Sequence, residues 1–268
     1  MTKSTGIFAV ALFAIAGFAQ HDVRLARHAA VIHATWDDGP ALHTMDLLKW
    51  LRAEEIRGTH FVNACRMSNA NRPSAFSGNC FSIGTIDPAI LLQYRLYGQR
   101  IGNHTSDHPD LTNSALSVKD RLYQLTDDQM RLDPIMAPDN FFPWRAPYLR
   151  VPDGLVAAIA ADPYLKKLTG PIGCDVCGVG SYQGVQFGSD TDCFAHNFPL
   201  NVCGDVYIAQ IHDLVAYGWK RITVLFHDRV EGFESTTKSL ELAQYVFPKL
   251  KAEGIYSFES LGPLKDIQ

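Results

Sequence analysis

Residues 29–56 read AAVIHATWDDGPALHTMDLLKWLRAEEI. The apolar run Ala29–Trp36 gives way to Asp37-Asp38-Gly39-Pro40, after which apolar residues recur at Met45, Leu47, Leu48 and Leu51. The first run has the character of a buried strand and the second the spacing of one helix face, with Gly-Pro forcing a turn between them. The same unit repeats along the chain. Further strand-like runs are Thr59–Ala64, Arg100–Asn103, Phe141–Trp144, Arg221–Phe226 and Tyr256–Glu259. Helix-like stretches are Pro88–Tyr97, with Asp87 as its N-cap, Ser117–Leu132, Asp153–Leu168, Asp205–Tyr217 and Thr236–Ala252. Strands alternating with helices imply right-handed crossovers and a parallel sheet. About seven such repeats predict an α/β fold closed into a (β/α) barrel. Gly170–Gly204, rich in Gly and Cys, interrupts the rhythm and reads as a long loop crossing the barrel mouth.

The wider composition fits one folded unit behind a leader. Lys3 followed by the apolar stretch Ile7–Ile15 and by Gly17-Phe18-Ala19 reads as a signal peptide over residues 1–19, leaving 20–268 as the working domain. No later stretch is long and apolar enough for a transmembrane helix. The protein is therefore expected to be exported, to the periplasm or the medium. With 24 basic and 28 acidic residues the net charge is −4, and no Lys/Arg cluster occurs, so binding to nucleic acid is not expected. Six cysteines suit an oxidising compartment. Sequence proximity suggests Cys65–Cys80, with two pairs among Cys174, Cys177, Cys193 and Cys203. Cys174-x-x-Cys177 also permits a redox or half-zinc-ribbon reading, but no second CxxC exists and glycines follow it, which favours a structural bond.

Polar groups stand just after the apolar runs, at the strand ends where α/β barrels keep their active sites. Asp37 and Asp38 lie side by side at a turn, where both can enter one pocket and repel unless a cation takes one of them. His104 and His108 are spaced as ligands, on one helical face or in a tight loop. Two imidazoles and a carboxylate fit a catalytic divalent metal. The bland alternatives are a solvated Asp-Asp-Gly-Pro turn and structural histidines; His33, His43, His60, His196 and His212 are read in that second way. Trp36 and Trp144 are read as core beside the site, with sugar stacking as the alternative.

Thr35–Pro40, His104–Pro109, Arg145-Ala146-Pro147-Tyr148 and Leu225-Phe226-His227-Asp228 occur in this order between residues 35 and 228, over most of the mature chain. In this the sequence resembles the polysaccharide deacetylases of the NodB-homology type, carbohydrate esterase family 4. The resemblance implies a distorted (β/α) barrel and hydrolytic removal of N-acetyl groups from N-acetylglucosamine in peptidoglycan or chitin. It implies Asp38, His104 and His108 as metal ligands, zinc above cobalt or nickel, and Asp37 as general base paired with Arg145. It further implies the Tyr148 backbone N–H as oxyanion donor, His227 as general acid, and Tyr148, Phe194 and Leu225 at the substrate. The carboxylate expected beside His227 matches Asp190 by spacing, with Asp192 as the alternative; Phe194 stands where the family usually has Trp. Other readings are an O-acetyl xylan esterase and a non-catalytic glycan-binding protein. The sequon Asn103-His104-Thr105 overlaps a ligand and is read as an accident of the motif.

Overall fold

The computed structural model describes residues 29–67, 86–228 and 237–262; the expected leader, and Cys80 of the expected Cys65–Cys80 bridge, lie outside them. The opening stretch forms a ten-residue strand, β1 (Ala30–Gly39), and a helix, α1 (Thr44–Ala53), whose Leu47, Leu48 and Leu51 are buried. There follow β2 (Gly58–Val62), α2 (Ile90–Leu96), β3 (Arg100–Asn103) and α3 (Val118–Met136). Ser117 caps α3 and forms a reciprocal capping box with Asp120. α2 starts later than expected, at Ile90, although the Asp87 carboxylate still accepts the Ala89 N–H. Next come β4 (Phe142–Pro143), α4 (Leu155–Ala161), β5 (Leu168–Thr169), β6 (Gly180–Tyr182) and β7 (Val185–Phe187). The chain then supplies α5 (Asp190–Ala195), α6 (Leu200–Ala216), β8 (Arg221–His227), α7 (Lys238–Glu253) and β9 (Tyr256–Phe258).

The main sheet is parallel and has five strands, in place of the seven expected for a barrel. Its order is β3-β2-β1-β8, and β9 also pairs with β1. β8 occupies one edge of β1 from Val31 to Asp37, so β9 and β2 share the other edge, at Ala30–Ile32 and Ala34–Gly39 respectively. The shortfall has a local cause at Phe141–Trp144. Pro143 has no N–H to give to a ladder, so only two residues form a strand, and they pair with β5. Single bridges, Asn103–Trp144 and Val176–Val224, carry the pairing past the two edges of the main sheet.

Gly170–Gly204 is also more ordered than a plain loop. It holds the β6–β7 hairpin, α5 and the start of α6, and it contains both described disulfides, Cys174–Cys177 and Cys193–Cys203. Cys193 and Cys203 are buried in the main core, where they tie α5 to α6.

The sheet packs around aromatic side chains. Trp36 is fully buried, its ring 4.9 Å from His60, 5.6 Å from Phe226 and 6.0 Å from Phe247. Trp144 is buried in a second cluster with Leu111, Leu125 and Leu155, so both tryptophans are core residues. A Cβ added at Gly58 would lie 2.4 Å from the Trp36 ring and 3.0 Å from the Ala34 carbonyl oxygen, both across the β1–β2 pairing. Gly58→Ala is therefore expected to cost about 1–3 kcal/mol through overpacking. A urea titration with an unmoved midpoint would show that this contact does not set the strand spacing.

Candidate active site

Asp37 and Asp38 end β1, and the backbone there turns both carboxylates to one side. Between Trp36 and Gly39 the β1–β2 register slips, three steps on β1 matching two on β2. Asp38 adopts a left-handed conformation, φ 66°. Gly39 is required beside it, because a Cβ there would fall 2.7 Å from the Asp228 carboxylate. His104 and His108 lie in the loop after β3, not on a helix, and left-handed Thr105 and His108 fold that loop back on itself.

The three side chains converge. His108 Nε2 is 3.1 Å and His104 Nε2 3.4 Å from Asp38 Oδ1, and ligand atoms of all three lie within 4.8 Å of one another. His104 Nδ1 donates to the Arg145 carbonyl at 2.9 Å. A carbonyl can only accept, so Nδ1 carries a proton, and in the neutral ring that leaves the Nε2 lone pair for a ligand. Asp38 Oδ1 is buried and accepts no hydrogen bond. A buried oxygen with no donor, faced by two imidazole nitrogens, is a donor set suited to a divalent cation. Burial opposes charge on Asp38, yet the imidazoles of His108, His104 and His227 hold its carboxyl well below the usual range. Burial pushes His108 down to about 4, so it is neutral and free to ligate at physiological pH.

Asp37, beside this cluster, is held from the other side. Arg145 is fully buried; its Nη1 donates to Asp37 Oδ1 at 2.7 Å and to Thr35 Oγ1 at 2.8 Å. Its Nε and Nη2 donate to the carbonyls of Ile172 and Gly173, at 3.1 and 2.8 Å. Asp37 pairs in register with His227 on β8. His227 Nδ1 donates to Asp190 Oδ1 at 2.6 Å and its backbone N–H to Asp190 Oδ2 at 2.9 Å, so Asp190, and not Asp192, is the carboxylate beside it. Burial pulls His227 toward neutrality, but Asp190, backed by Asp38 and Asp37, outweighs it and pushes the pKa up to about 9.

Asp37, Asp38, His104, His108 and His227 line a cleft of ≈ 490 Å³ with Tyr148, Leu149, Arg150, Arg66 and Leu225. Tyr148 is exposed on the rim, its ring edge-on to His108 at 4.8 Å. Phe194 is the one expected site residue that the fold removes. Asp190 and Phe194 sit at i and i+4 on the buried face of α5, and turning Asp190 to His227 turns the Phe194 ring into the core. Asn103 is buried with its side-chain nitrogen donating to the Leu125 carbonyl, which leaves no room for a glycan at the sequon. A larger hollow, ≈ 710 Å³, lies at the amino ends of the strands among Glu54, Arg57, Arg100, Lys251 and Glu259; among the described residues it holds no ligand cluster.

The sequence reading missed the supports beneath the loop. Asp128 accepts the His104 N–H at 3.0 Å, Gln124 donates to Asp107, and Asn63 donates to the carbonyls of His104 and Thr105. A signal was present: Gln124 and Asp128 are polar at i and i+4 beside apolar Leu125 and Leu132, hence on a buried helix face. Asp228, next to His227, supports the turn after β1. It accepts from Thr44 Oγ1 at 2.6 Å and Tyr94 at 3.4 Å, and donates its N–H to the Asp37 carbonyl at 2.8 Å.

Fold and site together define an α/β protein with an Asp-His-His cluster open to a cleft at the carboxyl ends of its strands. The family profile described as polysaccharide deacetylase matches residues 25–165, just over half of the chain, and the chain belongs to that family. It is 33% identical over 121 residues to a chitin deacetylase from Colletotrichum lindemuthianum, a stretch covering 44% of this chain and 42% of that relative. The chain thus matches less than half the length of that curated relative. Among solved structures it resembles the peptidoglycan deacetylase PdaC from Bacillus subtilis, with TM-score 0.57 and 22% identity over 89% of this chain and 91% of that one. It also resembles a family 4 carbohydrate esterase from Streptomyces lividans, with TM-score 0.57 and 18% identity over 88% and 94%. At those identities the structural likeness speaks for the fold.

Without its carboxylate partner His227 would feel burial as the dominant influence. Asp190→Asn should lower the His227 pKa in the metal-free protein from about 9 by about two units or more. The measurement is an NMR titration of the imidazole; an unmoved value would mean that Asp190 does not hold the charge.

Proposed function

We propose that the protein is an exported, metal-dependent deacetylase that removes N-acetyl groups from N-acetylglucosamine residues of a wall polysaccharide, residues 20–268 forming the catalytic domain. The observation that carries this reading is the convergence of Asp38, His104 and His108 beside an arginine-paired Asp37 and opposite an aspartate-paired His227. The names of the relatives, a chitin deacetylase and a peptidoglycan deacetylase, support the substrate class. The described disulfides support an oxidising compartment. Among the described residues no helix is long and apolar enough to cross a membrane.

Asp38, His104 and His108 would hold a divalent cation, zinc being the best match to one carboxylate and two imidazoles, with cobalt or nickel compatible. Such an ion supplies a Lewis acid for the acetyl carbonyl and lowers the pKa of a water molecule. Asp37, fixed by Arg145, would take the proton from the attacking water as the water oxygen bonds to the carbonyl carbon. The backbone N–H of Tyr148, on the cleft rim, would donate to the carbonyl oxygen as negative charge develops there. The C–N bond then breaks with its electron pair passing to nitrogen, and His227, charged because of Asp190, gives nitrogen its proton. Acetate and a free amino sugar result. Leu225 and Tyr148 line the cleft and would form part of the wall against which the sugar rests.

Asp37→Asn should retain one bound metal per chain and lose acetate release by about a thousandfold or more, an effect in the range of losing a general base. Turnover of the metal-loaded variant at the normal rate would remove Asp37 from that role. Chelation should abolish acetate release from chitooligosaccharides or peptidoglycan, and zinc should restore it; activity that survives complete metal removal contradicts the reading. In the metal-free protein His227 holds its proton below about 9 and loses it above. kcat should therefore fall as pH rises toward that value, and Asp190→Asn should move the fall to lower pH.

A further inference from the structure

We propose that the Cys174–Cys177 disulfide is a positioning element of the active site, closing the turn whose carbonyls aim the Arg145 guanidinium at Asp37. The inference draws on the deacetylase reading for its kinetic test, while its geometry stands apart from it. The bond encloses Asp175 and Val176, the two residues that dock this turn on β8. Both donate their N–H to the Thr223 carbonyl, at 2.8 and 3.1 Å, and the Val176 carbonyl accepts the Leu225 N–H at 2.8 Å. The Asp175 carboxylate in turn accepts the Thr223 N–H at 2.7 Å. Immediately before the bond come Ile172 and Gly173, whose carbonyls receive Nε and Nη2 of Arg145.

The guanidinium thus lies in a fork of four oxygens, two on β1 and two on this turn. The Phe61 ring covers it at 4.3 Å. β1 is fixed by its neighbours in the sheet. The turn is held at its ends, by Ile172, which packs with Phe61, Phe141 and Leu261 and donates its N–H to the Trp144 carbonyl at 2.8 Å, and by the Val176–Val224 bridge. At Gly173 no atom lies within 4 Å of where a Cβ would stand, and the crosslink that begins at the next residue closes the turn between those anchors. A bond closing so short a loop constrains the unfolded chain least, so global stability explains it poorly. A buried ion pair, by contrast, depends strongly on geometry. Cys177 itself lines the catalytic cleft.

The test replaces both cysteines by serine in the full chain. The C174S/C177S protein should bind one zinc per chain as before, with kcat lowered about ten- to a hundredfold and KM changed by less than about twofold. Its Arg145 Nε–H resonance, protected in the parent by the Ile172 carbonyl, should broaden through exchange with water. Combined with Arg145→Lys, the cysteine change should add less than its separate effect, since both act through one guanidinium. Unchanged kcat with the resonance retained, or effects that simply multiply, would overturn the proposal. Should the serine pair fail to fold, Asp175→Ala removes the carboxylate that accepts the Thr223 N–H, loosening the same turn, and should give the same kinetic and spectral signature. If the parent releases no acetate from any acetylated glycan, the deacetylase reading fails. The Arg145 resonance then decides the positioning claim alone.

Discussion

A buried ion pair, Arg145 with Asp37, organises the carboxyl edge of this sheet. Removing an arginine and an aspartate from water is costly unless every remaining donor is satisfied. Arg145 pairs four of its five N–H groups, with Thr35, Asp37, Ile172 and Gly173, four partners drawn from two separate segments. Its own carbonyl receives His104 Nδ1, so the same residue that fixes Asp37 also fixes the tautomer of a candidate ligand. One side chain and its backbone thereby link the proposed base to the proposed metal site.

Around that pair, like residues are driven to opposite states by their surroundings. His108 has burial as its leading influence and is neutral, with a pKa near 4. His227 is also buried, but Asp190 contacts both its ring and its backbone, and its pKa rises to about 9. A neutral imidazole can ligate, whereas a charged one can give a proton. The two proposed roles follow from the balance at each ring: at His108 burial and the neighbouring imidazoles outweigh Asp38, whereas at His227 Asp190, backed by Asp38 and Asp37, outweighs burial. Asp228 shows the same principle in a supporting position. Burial raises its pKa to about 6, and the hydrogen bonds from Thr44 and Tyr94 restrain the rise.

Much of this was legible in the chain. The alternation of apolar runs and helical spacing placed β1, β3, β8 and most helices, and Asp37, Asp38, His104 and His227 at the strand ends meet in the cleft. What failed depended on features without a periodic signal. Pro143 reduced an expected strand to two residues, and β9 shared an edge of β1 with β2, so seven strands became five. The Cys/Gly-rich segment concealed a hairpin and a six-residue helix too short to show a pattern. Phe194 was misplaced because the orientation of that helix is set by Asp190 reaching His227, a tertiary contact. The Asp128 support was readable as polarity on a buried helix face and was passed over.

The central claim is that Asp38, His104 and His108 form a single metal site serving Asp37. Anomalous diffraction from zinc-loaded crystals tests it most directly. The account predicts one strong peak about 2 Å from Asp38 Oδ1 and from both Nε2 atoms, with the Arg145–Asp37 pair intact. A peak elsewhere, or none at these three atoms with zinc in excess, would contradict it.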